Sequence, residues 1–133
     1  MNILGAALSG MAAAEARLNV SASNVANAQS TGALPQPAGA SSAPQPYRPL
    51  VLIQFGLADG GVATETRPSP DGVIATYDPE APFADAKGLV AAPDVDMAAE
   101  AVSQIQALQQ FKANLRIIET EDQMLKASLS LKA

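Results

Sequence analysis

Each end of this 133-residue chain carries a long stretch in which apolar residues recur at helical spacing. Residues 2–27 and 96–132 both show steps of three and four residues between apolar positions, the spacing of a heptad seam. The first seam, interrupted at Glu15, consists of Leu4, Leu8, Met11, Leu18, Ala22 and Val25. The second, interrupted at Lys112 and Asp122, consists of Ala101, Ile105, Leu108, Leu115, Ile118, Leu125 and Leu129. We expect such helices to pair with each other or with neighbouring molecules, which favours assembly over catalysis.

A single chain of this composition can bury only a small core. Hydrophobic residues make up 48% of the sequence, but aromatic residues make up only 4%, and there is no Trp. Much of the apolar share is Ala, which buries little surface per residue. We therefore expect a monomer of marginal stability that gains stability from contacts with other subunits.

Charge and residue types exclude several classes of function. The net charge is −5 and the 8 basic residues are scattered, so the chain lacks the basic surface that nucleic acids or anionic membranes attract. The absence of Cys and His excludes thiol catalysis, disulfides, His-based triads and zinc sites with Cys or His ligands. No stretch reaches the ~20 apolar residues that span a bilayer, so we expect no membrane insertion.

The apolar run at residues 3–14 could be mistaken for a secretory signal. A signal peptide has a basic region before its apolar run, whereas Arg17 is the first basic residue here. The helical periodicity also continues beyond any cleavage point. We therefore expect this run to belong to the mature structure.

The middle of the chain is rich in strand and turn signals. Five prolines between residues 30 and 49 exclude a regular helix and favour an extended loop. Three runs of β-forming residues separated by Gly- and Pro-containing turns then predict strands at 50–55, 62–67 and 73–77. We expect these strands to form one small meander, followed by an extended connector at 78–95.

These elements predict an α+β fold, with long N- and C-terminal helices pairing as a coiled coil around a small β-rich middle and a Pro-rich extended loop. The last helix would run for about 36 residues, or roughly 54 Å, which is long for an ordinary globular helix. The predicted parts are the N-terminal helix, the Pro-rich linker, the β-rich middle with its connector, and the C-terminal helix, at residues 1–29, 30–49, 50–95 and 96–133.

Two polar groupings allow more than one interpretation. Asp94, Asp96 and Glu100 could hold a hard cation or act as an acid/base pair, but their place before a helix favours capping. Asn24 and Asn27 could end the first helix through local hydrogen bonds, or they could bond to a neighbouring helix end. Composition favours the local role.

Several segments, in collinear order along nearly the whole chain, resemble the axial proteins of the bacterial flagellum, the rod and hook proteins. Residues 18–30 resemble the family's N-terminal motif, in which two Asn close the first helix. The other similar segments are Gln45-Pro46-Tyr47-Arg48, Tyr77-Asp78-Pro79, residues 84–90 with 93–96, and Phe111-Lys112-Ala113-Asn114 with Met124-Leu125 downstream.

The resemblance implies a structural subunit of the flagellar basal-body rod, which polymerises with other rod proteins into a hollow drive shaft crossing the periplasm. It implies export through the flagellar type III apparatus without a cleaved signal peptide, and terminal helices that order on assembly. The implied partners are other rod proteins, copies of the chain itself, the export apparatus, and ring or hook-basal-body proteins. Neither nucleic acid nor a membrane is among them.

From the seams and the resemblance we predict an assembly interface and no catalytic, cofactor-binding or metal-binding residue. The interface residues are Leu4, Leu8, Met11, Leu18, Asn24, Asn27, Ile105, Leu108, Leu115, Ile118, Leu125 and Leu129. One alternative is a small soluble binding module, for example for peptidoglycan, in which the helices only cap the strands. Another is an enzyme that uses the carboxylates of Asp94, Asp96 and Glu100.

Overall fold

The computed structural model describes residues 3–35 and 44–131 of the chain. Its elements are α1 (Ile3–Asn27), β1 (Leu50–Gly56), β2 (Val62–Pro68), β3 (Val73–Tyr77), β4 (Leu89–Pro93) and α2 (Met97–Ser130). Two long terminal helices with a small β middle confirm the α+β prediction. Of the predicted Pro-rich loop, residues 36–43 lie outside the described residues.

Helix α1 forms because its sequence is rich in Ala and free of Pro, and it ends where local polar groups take over its last carbonyls. Asn27 Nδ2 donates to the Ser23 carbonyl at 2.9 Å. Ser30 donates to the Asn27 carbonyl through both its backbone N–H, at 3.0 Å, and its hydroxyl, at 2.8 Å. The local, helix-ending role predicted for Asn27 is thereby confirmed.

Helix α2 begins with a side-chain cap. Asp96 Oδ1 accepts hydrogen bonds from the backbone N–H groups of Ala98 at 2.9 Å and Ala99 at 3.1 Å. The Glu100 N–H donates to the Asp96 carbonyl at 2.9 Å, which closes the first helical turn. The capping interpretation is therefore confirmed for Asp96. From this cap α2 runs for 34 residues.

The β region differs from the predicted three-stranded meander, which is wrong. The four strands form two separate two-stranded sheets, one of β1 with β2 and one of β3 with β4. The second sheet is antiparallel, with Val73 opposite Pro93 and Tyr77 opposite Leu89. Strand β4 lies inside the segment predicted to be an extended connector. Its short run of Leu, Val and Ala between Gly88 and Pro93 lacks the alternation by which a strand is recognised.

The turn before β4 depends on Asp85 and Gly88. Asp85 Oδ1 accepts hydrogen bonds from the backbone N–H groups of Lys87 at 2.8 Å and Leu89 at 2.9 Å. The hydrogen bond from the Leu89 N–H is the main cause that holds the pKa of Asp85 below its ordinary value. Gly88 has a φ of +75°, and a Cβ atom there would lie 2.9 Å from a ring carbon of Tyr77, so a side chain would meet strain and a clash.

The chain divides into two compact units. Unit 1 comprises Met1–Asn19, Leu52–Glu65 and Val102–Ala133, and unit 2 comprises Val20–Val51 and Thr66–Ala101. Among the described residues, the buried apolar side chains of unit 1 are Ala7, Ala13, Ala14 and Ala107, and those of unit 2 are Val90 and Ala91. The cores consist of small side chains, in keeping with the small core expected from the composition.

In unit 1, hydrogen bonds join the β1–β2 hairpin to α1. Ser9 Oγ donates to the Ala6 carbonyl at 2.8 Å and accepts from the Val62 N–H at 3.1 Å. A Cβ atom on Gly61 would lie 2.5 Å from Ser9 Oγ, and Gly61 has a φ of +96°. Arg17 Nη2 also donates to Gln54 Oε1 of β1 at 3.1 Å. These contacts place the hairpin against α1 between Ala6 and Arg17.

We expect Asp85→Ala to lower the urea midpoint of unfolding at pH 7, because the N–H groups of Lys87 and Leu89 lose their acceptor. The pKa of Asp85 is lower in the folded state, so its stabilisation is present above the unfolded-state pKa, about 4 for Asp. It is lost as the pH falls through the folded-state value.

Urea titrations at pH 7 and pH 3 check this prediction, with Asp59→Ala at an exposed turn position as the control. The difference between wild type and Asp85→Ala should shrink at the lower pH. A difference that stays the same or grows on acidification would contradict the assignment.

Candidate assembly surface

Helices α1 and α2 pack antiparallel within unit 1. Gly10 of α1 lies against Asn114 of α2, where an added Cβ atom would be 2.7 Å from Asn114 Nδ2. Seven residues later in α1, Arg17 Nη1 donates to Gln106 Oε1 of α2 at 3.5 Å. Residue numbers therefore rise along one helix while they fall along the other.

Small residues form the contact between the two helices in unit 1. The buried positions of α1 include Ala7, Gly10 and Ala14, at steps of three and four residues, and Ala107 is the buried residue of α2. Ala and Gly allow helix axes to approach closely, so that backbone and Cβ atoms make the contacts. We call these four residues the alanine stripe.

The larger residues of the predicted seams lie next to the alanine stripe rather than within it. Leu8 follows Ala7, and Leu108 follows Ala107, so each is turned by about 100° from the buried position. Leu4, Met11 and Ile118 are half-buried. The seam residues that stay largely exposed in the described chain are Leu8, Leu18, Ile105, Leu108, Leu115, Leu125 and Leu129.

Further large apolar residues that the seam prediction did not include are also exposed. They are Ile3, Met97, Val102, Ile117, Met124 and Leu131. The seam prediction does not include them, because they lie outside the heptad frame that each seam follows. The recurrence of Ala7, Gly10 and Ala14 at heptad spacing was the signal that could have identified the inner face.

Helix α2 continues beyond the described start of α1 in unit 1. Ile3, the first described residue of α1, lines a groove with Ile117, Thr120 and Met124 of α2. Leu125 and Leu129 come after this point, and Leu129 is 68% exposed. The last turns of α2 therefore present leucines with no residue of the described part of α1 opposite them.

An apolar groove lies between the two helices of unit 1. It has a volume of about 200 Å³ and is lined by Ala14, Glu15, Leu18, Ala107, Leu108 and Phe111. Glu15 is its charged lining residue and is itself exposed, while the ring of Phe111 is half-buried. Such a groove suits an aliphatic side chain of a neighbouring molecule better than a polar substrate.

A second, polar arrangement lies in unit 2 around Asn24, which is 3% exposed. Its Nδ2 donates to Glu100 Oε1 at 2.6 Å and to the Leu50 carbonyl at 3.0 Å. Its Oδ1 accepts from the Leu50 N–H at 2.8 Å and from the Tyr47 hydroxyl at 3.0 Å. Ser21 Oγ, also buried, donates to the Glu100 carbonyl at 3.2 Å.

Asn24 therefore has the non-local role that composition disfavoured, since it bonds to Glu100 in the first turn of α2. The two Asn of the motif have different functions in the fold, because Asn27 bonds within its own helix end. Tyr47 and Ser21 were not predicted as members of this arrangement. Both lie in segments that resemble the rod and hook family, at residues 45–48 and 18–30, but only the contacts identify them as members of this arrangement.

The carboxylates of Asp94, Asp96 and Glu100, which were considered as a cation or acid/base site, have different roles in the structure. Asp96 caps α2, Glu100 accepts from Asn24, and the side chain of Asp94 is exposed. Within residues 3–35 and 44–131, no group of three or more His, Cys, Asp or Glu could hold a metal ion. No helix in the same ranges is long and apolar enough to cross a membrane.

Two family descriptions match the chain, one at each end. Residues 4–33 match the description "Flagella basal body rod protein". Residues 86–131 match "Flagellar basal body rod FlgEFG protein C-terminal". The first match covers α1 with Asn24, and the second covers β4 and α2.

Individual proteins are similar over nearly the full length. The flagellar basal-body rod protein FlgC of Yersinia enterocolitica is 38% identical over 140 residues, covering 98% of this chain and 96% of that protein. FlgC of Escherichia coli O157:H7 is 39% identical with the same coverage. FlgC of Agrobacterium fabrum is 31% identical over 130 residues, covering 92% of this chain and 88% of that protein.

The close contact between Gly10 of α1 and Asn114 of α2 predicts that a larger residue at position 10 destabilises the protein. Replacing Gly by Leu in an exposed helix position stabilises by up to about 1 kcal/mol, because Gly is a poor helix former. At Gly10 the new side chain would meet Asn114, whose Nδ2 is held by the Gln110 carbonyl at 2.9 Å. We therefore expect Gly10→Leu to lower the free energy of unfolding by about 1–3 kcal/mol, as overpacking does.

Urea unfolding of Gly10→Leu measures this change. Ala12→Leu, at an exposed position further along the same helix, is the matched control and should be nearly neutral. A gain in stability for Gly10→Leu would mean that the helices do not approach each other as described.

Proposed function

The chain belongs to the family of flagellar basal-body rod proteins, and from this premise we propose that it packs with neighbouring rod subunits through the exposed apolar residues of α1 and α2. It is a structural subunit of the basal-body rod, similar to FlgC over nearly its full length. The observation that carries the proposal is the exposure of large apolar side chains along both helices, while their mutual contact uses Ala and Gly.

The exposure is too extensive for an isolated subunit. Ile105 is 60% exposed and Leu108 is 50% exposed, and both are on the same side of α2. Scattered apolar residues are ordinary on a protein surface, but a row of them along two helices is typical of an interaction surface. Covering this row in an assembly would add apolar burial that the small cores of the single chain lack.

The proposed assembly surface keeps the apolar residues predicted from the seams. These are Leu4, Leu8, Met11, Leu18, Ile105, Leu108, Leu115, Ile118, Leu125 and Leu129. Asn24 and Asn27, also predicted, contribute from inside the fold, since Asn24 is buried and Asn27 bonds to its own helix. The groove beside Phe111 would receive an aliphatic side chain of a neighbouring subunit.

The proposed neighbours are other rod proteins and further copies of this chain, with ring or hook-basal-body proteins as additional contacts. Repeated contact between different surfaces of identical or related subunits builds a helical tube rather than a closed oligomer. The hollow, periplasm-spanning rod is such an assembly. The absence of Cys fits passage of the unfolded chain through the type III export channel.

We propose that the N-terminal run is retained after export. Ala7 and Gly10 in this run are buried against the rest of unit 1, and Ser9 holds the N–H of Val62. Cleavage within residues 3–14 would remove these contacts. The run therefore has a structural role that a cleaved signal would not have.

A structural role accounts for the chain better than the two alternatives. The relatives carry the names of rod proteins, and their alignment includes the β strands that the binding-module alternative would use for a ligand. Of the carboxylates considered for catalysis, Asp96 and Glu100 are engaged in capping and in the bond to Asn24.

We predict that Leu115→Asp and Leu18→Asp each abolish swimming. Both side chains are partly exposed, at 39% and 44%, so the isolated subunit should lose no more than about 1 kcal/mol of stability. A charge in the assembled surface would be buried without a partner, which is strongly unfavourable. Swimming in soft agar and secretion of the variant subunit are the measurements.

The matched control is Gln109→Asp, which adds the same charge at an exposed polar position of α2. It should leave swimming unchanged, and all variants should still be exported. Normal swimming of both leucine variants would refute the proposed surface.

We further predict that the helices become fully ordered only on assembly. Hydrogen exchange of the purified subunit at low micromolar concentration should be faster in residues 2–27 and 96–132 than within residues 47–90, with the slowest exchange of α2 in its first turns, where Asn24 and Asp96 hold it. In assembled rods the helices should become protected, because neighbours then cover their exposed apolar side chains. Strong protection of both helices in the dilute monomer would contradict ordering on assembly.

A further inference from the structure

The Asn24 amide uses its full hydrogen-bonding capacity inside unit 2. A primary amide has two N–H donors and two acceptor lone pairs. Asn24 Nδ2 donates twice, to Glu100 Oε1 and the Leu50 carbonyl, and Oδ1 accepts twice, from the Leu50 N–H and the Tyr47 hydroxyl. Such complete satisfaction of a buried side chain requires every partner to be in place at once.

The partners come from segments far apart in the chain. Leu50 is 26 residues from Asn24, and Glu100 is 76 residues from it. Leu50 begins β1, directly after the Pro-rich segment, and Glu100 is in the first turn of α2. One side chain of α1 thus joins the start of a strand to the start of the other helix.

The bonds also specify the relative position of the helices in unit 2. A buried polar residue at a helix contact selects the register in which it is satisfied, because other registers leave it without partners. Sliding α2 by one turn would move Glu100 by about 5.4 Å and break its bond to Asn24. Ser21, one turn earlier in α1, bonds to the Glu100 carbonyl and selects the same register.

We infer that Asn24 is a positioning residue that interlocks three segments of unit 2: it fixes the register of α1 against the start of α2 and makes the docking of residues 47–50 depend on that register. The inference does not depend on the proposed rod surface. Through Asn24, the contact between α1 and the start of α2 and the contact between α1 and residues 47–50 are expected to form together and to break together.

The test uses the full chain with Asn24→Asp, Glu100→Gln and the double variant. Asn24→Asp replaces the donating NH2 by a second carboxylate oxygen next to Glu100. Among the described residues, Glu100 and Tyr47 are the titratable groups in hydrogen-bond contact with Asn24, and Glu100 is the carboxylate of the two. The two adjacent carboxylates should therefore repel each other at pH 7 and share a proton on acidification.

Amide exchange is followed residue by residue, by NMR, at pH 7 and pH 5. In Asn24→Asp we expect exchange at Leu50 and in the first turns of α2 to accelerate together, by roughly tenfold or more at pH 7 relative to wild type. The acceleration should be smaller at pH 5. Glu100→Gln in the Asn24→Asp background should restore much of the protection in the first turns of α2, because the introduced glutamine amide can donate to the new carboxylate. Protection at Leu50 should return only in part, because the Leu50 carbonyl still lacks the donor that Asn24 supplied.

Asn27→Asp is the matched control, since the Asn27 amide donates to the Ser23 carbonyl of its own helix. Its effect should stay at the end of α1 and should not respond to Glu100→Gln. If Asn24→Asp does not fold, Tyr47→Phe removes one bond to Asn24 and should accelerate exchange at Leu50 and in the first turns of α2 together, to a smaller extent.

Acceleration at Leu50 without a change in α2, in either variant, would overturn the interlock and leave Asn24 with a local role. Failure of Glu100→Gln to restore protection, together with the same acceleration at pH 5 and pH 7, would overturn the assignment of Glu100 as the partner.

Discussion

The close approach of α1 and α2 at Gly10 and Asn114 is the constraint on which unit 1 depends. Ala and Gly remove little surface from water when they are buried, so their contribution comes from dispersion contacts that weaken quickly with distance. At the alanine stripe, the two helices are therefore stabilised by many short-range dispersion contacts between small residues, which require the helix axes to be close together. The same constraint explains the small cores, since the largest fully buried side chains among the described residues are Val90 and Ser21.

A consequence of this packing is that the leucines are displaced to the flanks. When Ala7 and Ala107 take the inner positions, Leu8 and Leu108 are turned toward solvent. The large apolar side chains on these flanks therefore stay exposed in the single chain. In the proposed assembly this division is useful, because neighbouring subunits would supply the apolar burial that the small cores lack.

Local signals in the sequence were sufficient for the elements that depend on local chemistry. The two helices, the Asp96 cap and strands β1 to β3 follow from propensity, capping and turn residues within a few positions. Strand β4 was missed because its identity depends on pairing with β3, which local composition does not report. The seam pattern did not tell which of its residues face the other helix, because a heptad count does not distinguish Ala and Gly positions that allow close approach from the larger residues beside them. The partners of Asn24 could not be found, because they lie 23 to 76 residues away.

In this fold, apolar contacts hold the helices close together, and polar contacts determine their register. A stripe of Ala and Gly looks nearly the same after one heptad, so dispersion alone discriminates poorly between registers. Polar groups have fixed donors and acceptors, and a shift of one turn leaves them unsatisfied. The buried set is in unit 2, where Asn24 bonds to Tyr47, Leu50 and Glu100; in unit 1 the part-buried bond of Arg17 to Gln54 joins α1 to β1. The register that these side chains select decides which apolar residues remain exposed, and therefore which surface a neighbouring subunit meets.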